Sequence, residues 1–377
     1  MHSNIFVVKR RSLPDVILFW GLLTMLAVGW ILQILLPGLT TNIFELLFFI
    51  LSLSVFLRKS SHTSEIYLYL FIIILYVLLS YIYAVIIRGA NLFDFIMAYK
   101  FTWYIALLLP FTNTKLLDSQ SLYTLLKSFL LMFFFVYVAK FFSGDDRPTF
   151  FIENNFEILF LCFLFFANHI VKKSSKMLDM IFLLAITAIS GSRSGVLLAL
   201  ITVVFSTDIK QIIRTKNIFL PLATILGAIG AYTVFINRTS NGVESTDRYR
   251  FYQFFLDSIS DWDWWQFFTG STRITKLPDH VCASLAFYEK LLSFEGNGSC
   301  YSVIFHSFNM RILFDHGIIV IVFLIFLLNK ILHRISIKEK ICIFILLFIN
   351  GLSVSSINSV YAALGIAIIA STTVRKN

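Results

Sequence analysis

The residues of this sequence best placed to do chemistry are one histidine and a set of arginines. His306 opens the run His306-Ser307-Phe308-Asn309-Met310-Arg311 at the edge of an apolar stretch. An imidazole with an ordinary pKa of about 6.5 can accept a proton near neutral pH, the task of a general base. Arg193 stands on a turn of small residues, Ser190-Gly191-Ser192-Arg193-Ser194-Gly195, where two backbones can approach and an anion could reach it. Arg147 lies in Gly144-Asp145-Asp146-Arg147-Pro148, ahead of Glu153-Asn154-Asn155, and Arg248 and Arg250 flank Tyr249. A guanidinium donates paired hydrogen bonds to phosphate oxygens and stays charged at any working pH, so these residues suit a diphosphate. Each also has a plain reading: a snorkelling or topology-setting arginine at 193, surface charges neutralised by Asp145, Asp146 and Asp247 elsewhere, and a structural histidine at 306.

The elements that must position them are membrane spans. Of 377 residues 58% are hydrophobic and 14% charged, with a mean hydropathy of +0.83, which describes a chain dissolved in lipid. The 42 phenylalanines fit lipid-facing and packed surface. Taking about 20 apolar residues per crossing, the spans read 15–36, 42–57, 66–87, 93–112, 122–143, 156–171, 177–191, 194–206, 217–236, 317–332, 341–355 and 358–373, about twelve in all, the pair around Gly191 to Gly195 being open to a reading as one broken helix. The net charge of +10 is dispersed in short clusters, so nucleic acid is not an expected partner. Lys9-Arg10-Arg11, Arg58-Lys59, Lys172-Lys173, Lys210 with Arg214 and Lys216, Arg334 with Lys338 and Lys340, and Arg375-Lys376 fall on one side of alternating spans, which makes both termini cytoplasmic. The expected organisation is spans one to nine in residues 1–236, a large outer-face loop over 237–316 containing short helices, and spans ten to twelve in 317–377.

Within that loop Asp247 to Ser260 has a helical pattern. The aromatics Tyr249, Tyr252, Phe254, Phe255, Trp262, Trp264 and Trp265 suit a helix lying along lipid headgroups. Cys282 and Cys300 both lie in the loop, where an oxidising compartment would let them pair, whereas Cys162 and Cys342 lie within spans. Asp261-Trp262-Asp263 has the letters of an Asp-x-Asp metal site but faces away from a cytoplasmic nucleotide pool. The sequence has no phosphate-binding glycine loop, no Cys/His zinc spacing and no Gly-x-Ser-x-Gly elbow, so no metal and no cofactor is expected. Lys100 in the fourth span and Glu157 at the head of the sixth are charges of the kind a transporter uses at the membrane midplane, although no internal repeat accompanies them.

Three segments carry a resemblance. Ser190 to Gly195 followed by an apolar run resembles the Ser-Arg-small turn of the O-antigen ligase and O-antigen polymerase (Wzy-type) superfamily of bacterial envelope polysaccharide assembly. Arg248-Tyr249-Arg250-Phe251-Tyr252 running on to Ile259 is similar to that family's loop helix. His306-Ser307, nine residues, then Gly317 is similar to its His-[Asn/Ser/Gln]-x9-Gly element. Arg147-Pro148 with Asn154-Asn155 resembles its Arg-Pro, glycine, Asn-Pro-Asn segment, without the glycine and the second proline.

The resemblance implies a GT-C-like membrane fold in the bacterial inner membrane with its active site facing the periplasm. It implies inverting, metal-independent glycosyl transfer from an undecaprenyl-diphosphate-linked glycan, with membrane lipid and a chain-length regulator as further partners. On that pattern His306, Arg248 and Arg193 are catalytic, and Arg193, Arg248, Arg250 and Arg147 bind the diphosphate. A polymerase would pass the glycan to the next lipid-linked repeat unit and is the expected activity. A ligase would pass it to lipid A-core, and a flippase for the same lipid-linked sugars is the reading from a different class.

Overall fold

The computed structural model describes residues 12–36, 38–58, 63–172, 176–207, 247–271, 274–288, 293–294 and 299–372. Among these residues regular structure is entirely helical. Among the described residues seven helices are long and apolar enough to cross a membrane: Leu13–Leu35 (α1), Leu39–Phe56 (α2), Ser64–Ile87 (α3), Leu92–Asn113 (α4), Ser119–Phe142 (α5), Asn154–Lys172 (α6) and, after the long loop, Phe308–Ile331. Met177–Ile189 (α7) and Arg193–Ser206 (α8) are shorter apolar helices that pack on each other, separate elements joined at the Ser190–Ser192 turn. The expected ninth span, 217–236, lies outside the described residues, as does the loop from 237 to 246.

Among the described residues the loop has three short α-helices, Asp247–Ile259 (α9), Trp264–Thr269 (α10) and Asp279–Ser284 (α11). The chain then returns to the bundle through Phe308–Ile331 (α12), Ile337–Ser353 (α13) and Val360–Thr372 (α14). Helix α12 begins well before residue 317, where the loop-to-span boundary was expected. Gly317 lies inside it at a kink, with φ +73° and ψ −178°, a conformation that a residue with a Cβ rarely adopts. The first long apolar run starts at Gly317, but Phe308 to His316 is helical and largely buried despite carrying Arg311, Asp315 and His316.

The centre of the bundle is α6 against α14. Every residue of α14 is buried, and its Ala362, Ala363, Gly365, Ala367 and Ala370 keep its surface low, so that the Phe163 ring of α6 lies where a Cβ on Gly365 would stand. In lipid, where burial of apolar surface drives helices together only weakly, this close backbone approach is the main source of cohesion. The outer helices α1, α2, α3 and α12 turn Leu, Ile and Phe side chains outward instead.

Candidate functional site

The loop between α5 and α6 is organised around a buried carboxylate. Glu157 is fully buried one turn into α6. It accepts hydrogen bonds from the backbone N–H of Phe150 (2.8 Å), Phe151 (2.7 Å) and Ile152 (2.9 Å) and from the Tyr137 hydroxyl (2.7 Å). A carboxylate near a helix N-terminus is favoured by the helix dipole, and here it folds the preceding chain back onto the helix. Phe150 stacks on Phe133 at 4.5 Å between centroids, completing the anchor. Arg147 and Glu153 sit at the two ends of the segment so fixed.

The small-residue turn is tied to the same helix head. Asn155 Oδ1 accepts from the Ser192 hydroxyl (2.5 Å) and the Ser194 hydroxyl (3.0 Å), while its amide nitrogen donates to Glu153 Oε1 (2.8 Å). Asn154 donates to Ser190 O (2.9 Å). From α13, Asn350 donates to Asn155 O (3.2 Å) and the Ser353 hydroxyl to the Ser194 hydroxyl (3.2 Å). Buried amides and hydroxyls have to be paired, and these pairs lock the N-terminal ends of α6 and α8 to the C-terminal end of α13.

The described part of the loop has a core of its own. Phe251 and Phe255 of α9 pack with Leu277, Val281, Leu285, Cys300, Ile304, Phe305 and Phe314. Cys282 and Cys300 are joined in a disulfide, and Leu277 N donates to Cys300 O (3.0 Å), so α11 is stapled to the strand of chain that leads to the histidine. Ser307 then clips this chain to the bundle: its hydroxyl donates to Gly351 O (2.8 Å) and Phe308 N donates to Val354 O (3.1 Å). Between core and clip, His306 takes φ +58°, a backbone conformation uncommon for a residue with a side chain and of the kind that collects at functional sites.

These supports meet around a pocket of about 310 Å³. Arg147 and Glu153 reach it from the α5–α6 loop, Arg248 and Phe251 from α9, His306 and Ser307 from the start of α12, and Ser353 to Ser355 from the end of α13. Three of the sequence-picked residues, Arg147, Arg248 and His306, thus come to one place from positions far apart in the chain. Arg193 does not line the pocket. It is half-buried at the first position of α8, and the serines on either side of it hold Asn155, which does line the pocket. Arg250 is exposed and also lies away from the pocket. Two residues along a helix is a turn of about 200°, so Arg250 is thrown to the face opposite Arg248, which shares its face with Phe251 and Phe255.

Asp263 of the Asp-x-Asp letters is the N-cap of α10, its N–H donating to Gln266 Oε1 (2.7 Å). Lys100 pairs with Glu45 at 2.5 Å, and the Tyr104 hydroxyl donates to the same Glu45 oxygen (2.9 Å).

Neither any family model nor any curated protein matches the chain.

Chemically, the pocket offers two guanidinium groups to an anion, an exposed imidazole to a proton, and one carboxylate, Glu153, already engaged by Asn155. Sequence reasoning did not single out Glu153 as a site residue or notice Tyr288, which also lines the pocket, or the polar run Asn350-Gly351-Leu352-Ser353-Val354-Ser355-Ser356. That run was the available signal: an amide and several hydroxyls at the join of two apolar helices need partners, and the partners are at the site.

Proposed function

We propose that this chain is an O-antigen (surface polysaccharide) polymerase, an inverting glycosyltransferase that acts without a catalytic metal at the periplasmic face of the bacterial inner membrane. The observation that carries the reading is the convergence of His306, Arg248 and Arg147 on one pocket at the outer ends of α6, α12 and α13. In this reading about twelve spans in a GT-C-like arrangement cross the membrane with both termini in the cytoplasm. Arg248 and Arg147 hold the diphosphate of an undecaprenyl-linked glycan. His306 takes the proton from a hydroxyl of the incoming lipid-linked repeat unit, and the resulting oxygen attacks the anomeric carbon as the carbon–diphosphate bond breaks on the opposite face. The arginines neutralise the charge that grows on the leaving diphosphate, the contribution expected of cations placed in advance of the reaction. Arg193 acts through Ser192, Ser194 and Asn155 as a positioning residue.

The two charges of the kind a transporter uses are engaged within the fold. Lys100 is neutralised by Glu45, and Glu157 holds the backbone of Phe150 to Ile152. The lipopolysaccharide of a strain lacking this protein tests the proposal. Core bearing a single repeat unit is the polymerase result, and bare core with lipid-linked polymer accumulating is the ligase result. Loss of polymer with no lipid-linked repeats at the outer face points to transport and overturns the enzyme reading.

A further inference from the structure

Where α10 touches the bundle is set by two glycines. A Cβ on Gly270 would stand 2.6 Å from His316 N and 2.8 Å from Gly317 N, and a Cβ on Gly317 would collide with Gly270 N and the carbonyl of Phe268. Both glycines have positive φ, +76° and +73°, and Ser271 N donates to Phe314 O (2.6 Å), a helical carbonyl freed by the kink. The end of α10 is therefore docked backbone to backbone on α12 at Gly317.

The depth of that contact can be read from three neighbouring helices. Gly317 is nine residues into α12, about 13 Å below its outer end at the helical rise. His316 Nε2 lies 3.4 Å from Ala98 O, six residues or about 9 Å into α4 from its outer end at Leu92. His316 Nδ1 meets the hydroxyl of Tyr76 at 2.7 Å, and Tyr76 is halfway along α3. At the other end of the same two helices, Lys330 of α12 pairs with Glu65 of α3 at 3.7 Å, so α3 and α12 are in register and the Gly317 level is well inside the span, not at its rim. Thr275 is level with the outer end of α3, where Arg88 donates to its Oγ1 (3.2 Å).

We infer that Trp264–Ser271 is a re-entrant wedge: the chain descends through α10 into the outer leaflet, turns at Gly270 against Gly317, and returns at Thr275. Its partner is the acyl-chain region of the bilayer. Trp264 is 77% exposed, and Trp265 and Phe268 are also exposed, an arrangement that would be costly in water. The lipid-facing belt of α12 runs directly below through Ile318, Ile319 and Val322. Non-helical backbone at this depth is tolerated only where protein satisfies it. The Ser271–Phe314 bond and the Gly270 N to Gln266 O bond (2.7 Å) do so at the turn. The inference rests on the helices crossing a membrane, and the leaflet it names rests on the orientation in the proposed function.

The test is a depth measurement. Trp264→Cys and Phe268→Cys are each labelled with an environment-sensitive fluorophore. Cys162 and Cys342 are buried, and Cys282 and Cys300 are bonded, so the added thiol is the one that reacts among these residues. In phosphatidylcholine vesicles, nitroxides placed along the acyl chain are expected to quench both labels several-fold more than headgroup nitroxides, with aqueous iodide ineffective. A label at Asp257→Cys, on an exposed face of α9, should show the reverse. Strong iodide or headgroup quenching at both 264 and 268 overturns the wedge, and two positions are used so that one misfolded variant does not decide the matter. Because the readout involves no glycosyl transfer, failure of the proposed activity would leave this result standing, and the converse also holds.

Discussion

Phe251 and His306 meet edge to face, their ring centroids 5.4 Å apart and their planes at 64°. The contact joins a helix of the long loop to the residue proposed as base, and it is made from the loop core, since Phe251 and Phe305 both belong to that cluster. Arg248, one turn before Phe251, and His306, one residue after Phe305, are thereby held on a common support. Their separation is set by packing of the loop itself more than by the spans.

His306→Ala is expected to lower polymer formation by about 10²- to 10⁴-fold, the usual contribution of a general base. His306→Gly separates chemistry from folding: glycine accepts φ +58° more easily than histidine, so activity should fall as far while thermal stability in detergent is unchanged or raised. Polymer ladders on gels and a thermal unfolding scan measure the two effects, and wild-type chain lengths in both variants would refute the role.

The two neighbouring arginines should behave differently. Arg248→Ala should cost about 10²- to 10³-fold in transfer, with Arg248→Lys intermediate because an ammonium cannot make the paired hydrogen bonds of the fork. Arg250→Ala, on the outward face of α9, should stay within about twofold of wild type, a surface change of little energetic weight. Equal losses at 248 and 250 would mean that α9 presents a different face to the pocket.

Glu157→Ala strands the N–H groups of Phe150, Phe151 and Ile152 in a buried site. At roughly 1 kcal/mol or more for each unpaired group, the loss is at least about 3 kcal/mol, read as a drop in thermal stability together with loss of transfer through misplaced Arg147. Glu157→Gln keeps the shape and two lone pairs and should lie between.

Removing the Cys282–Cys300 bond, which closes a separation of 18 residues, is expected to cost about 3 kcal/mol of loop stability. Cys282→Ser with Cys300→Ser should lower the protease resistance of the outer loop while the helical bundle remains intact, as followed by limited proteolysis in membranes.

Gly317→Ala forces a Cβ into the backbone of Phe268 and Gly270 and puts alanine at φ +73°, ψ −178°, a backbone region essentially confined to glycine, which alone costs roughly 1 to 3 kcal/mol. The expected result is a label at position 268 newly accessible to iodide, with α12 still inserted.

Much of the bundle was legible because hydropathy alone marks helices such as α1, α3 and α5, whose apolar residues outnumber every alternative use. The start of α12 was not, since Arg311, Asp315 and His316 read as loop while each is buried by contacts from α4, α3 and Ser302 that only the fold supplies. Of the candidates that residue type suggests, Arg147, Arg248 and His306 line one pocket. The exclusion of Arg250 needed the helical phase of α9, which Phe251 and Phe255 already announced. Glu153 and Asn155 were missed as lining residues because their value comes from the serines of the α7–α8 turn that meet them across the bundle.

Helix α6 is finished on the ribosome long before α14, yet the two form the middle of the molecule. In the interval Phe163 has no Gly365 to receive it, and the inner face of α6 is against lipid or borrowed neighbours. The centre of this protein thus cannot close until both helices have been made. Any interruption of synthesis between these helices leaves inserted spans with nothing to close around.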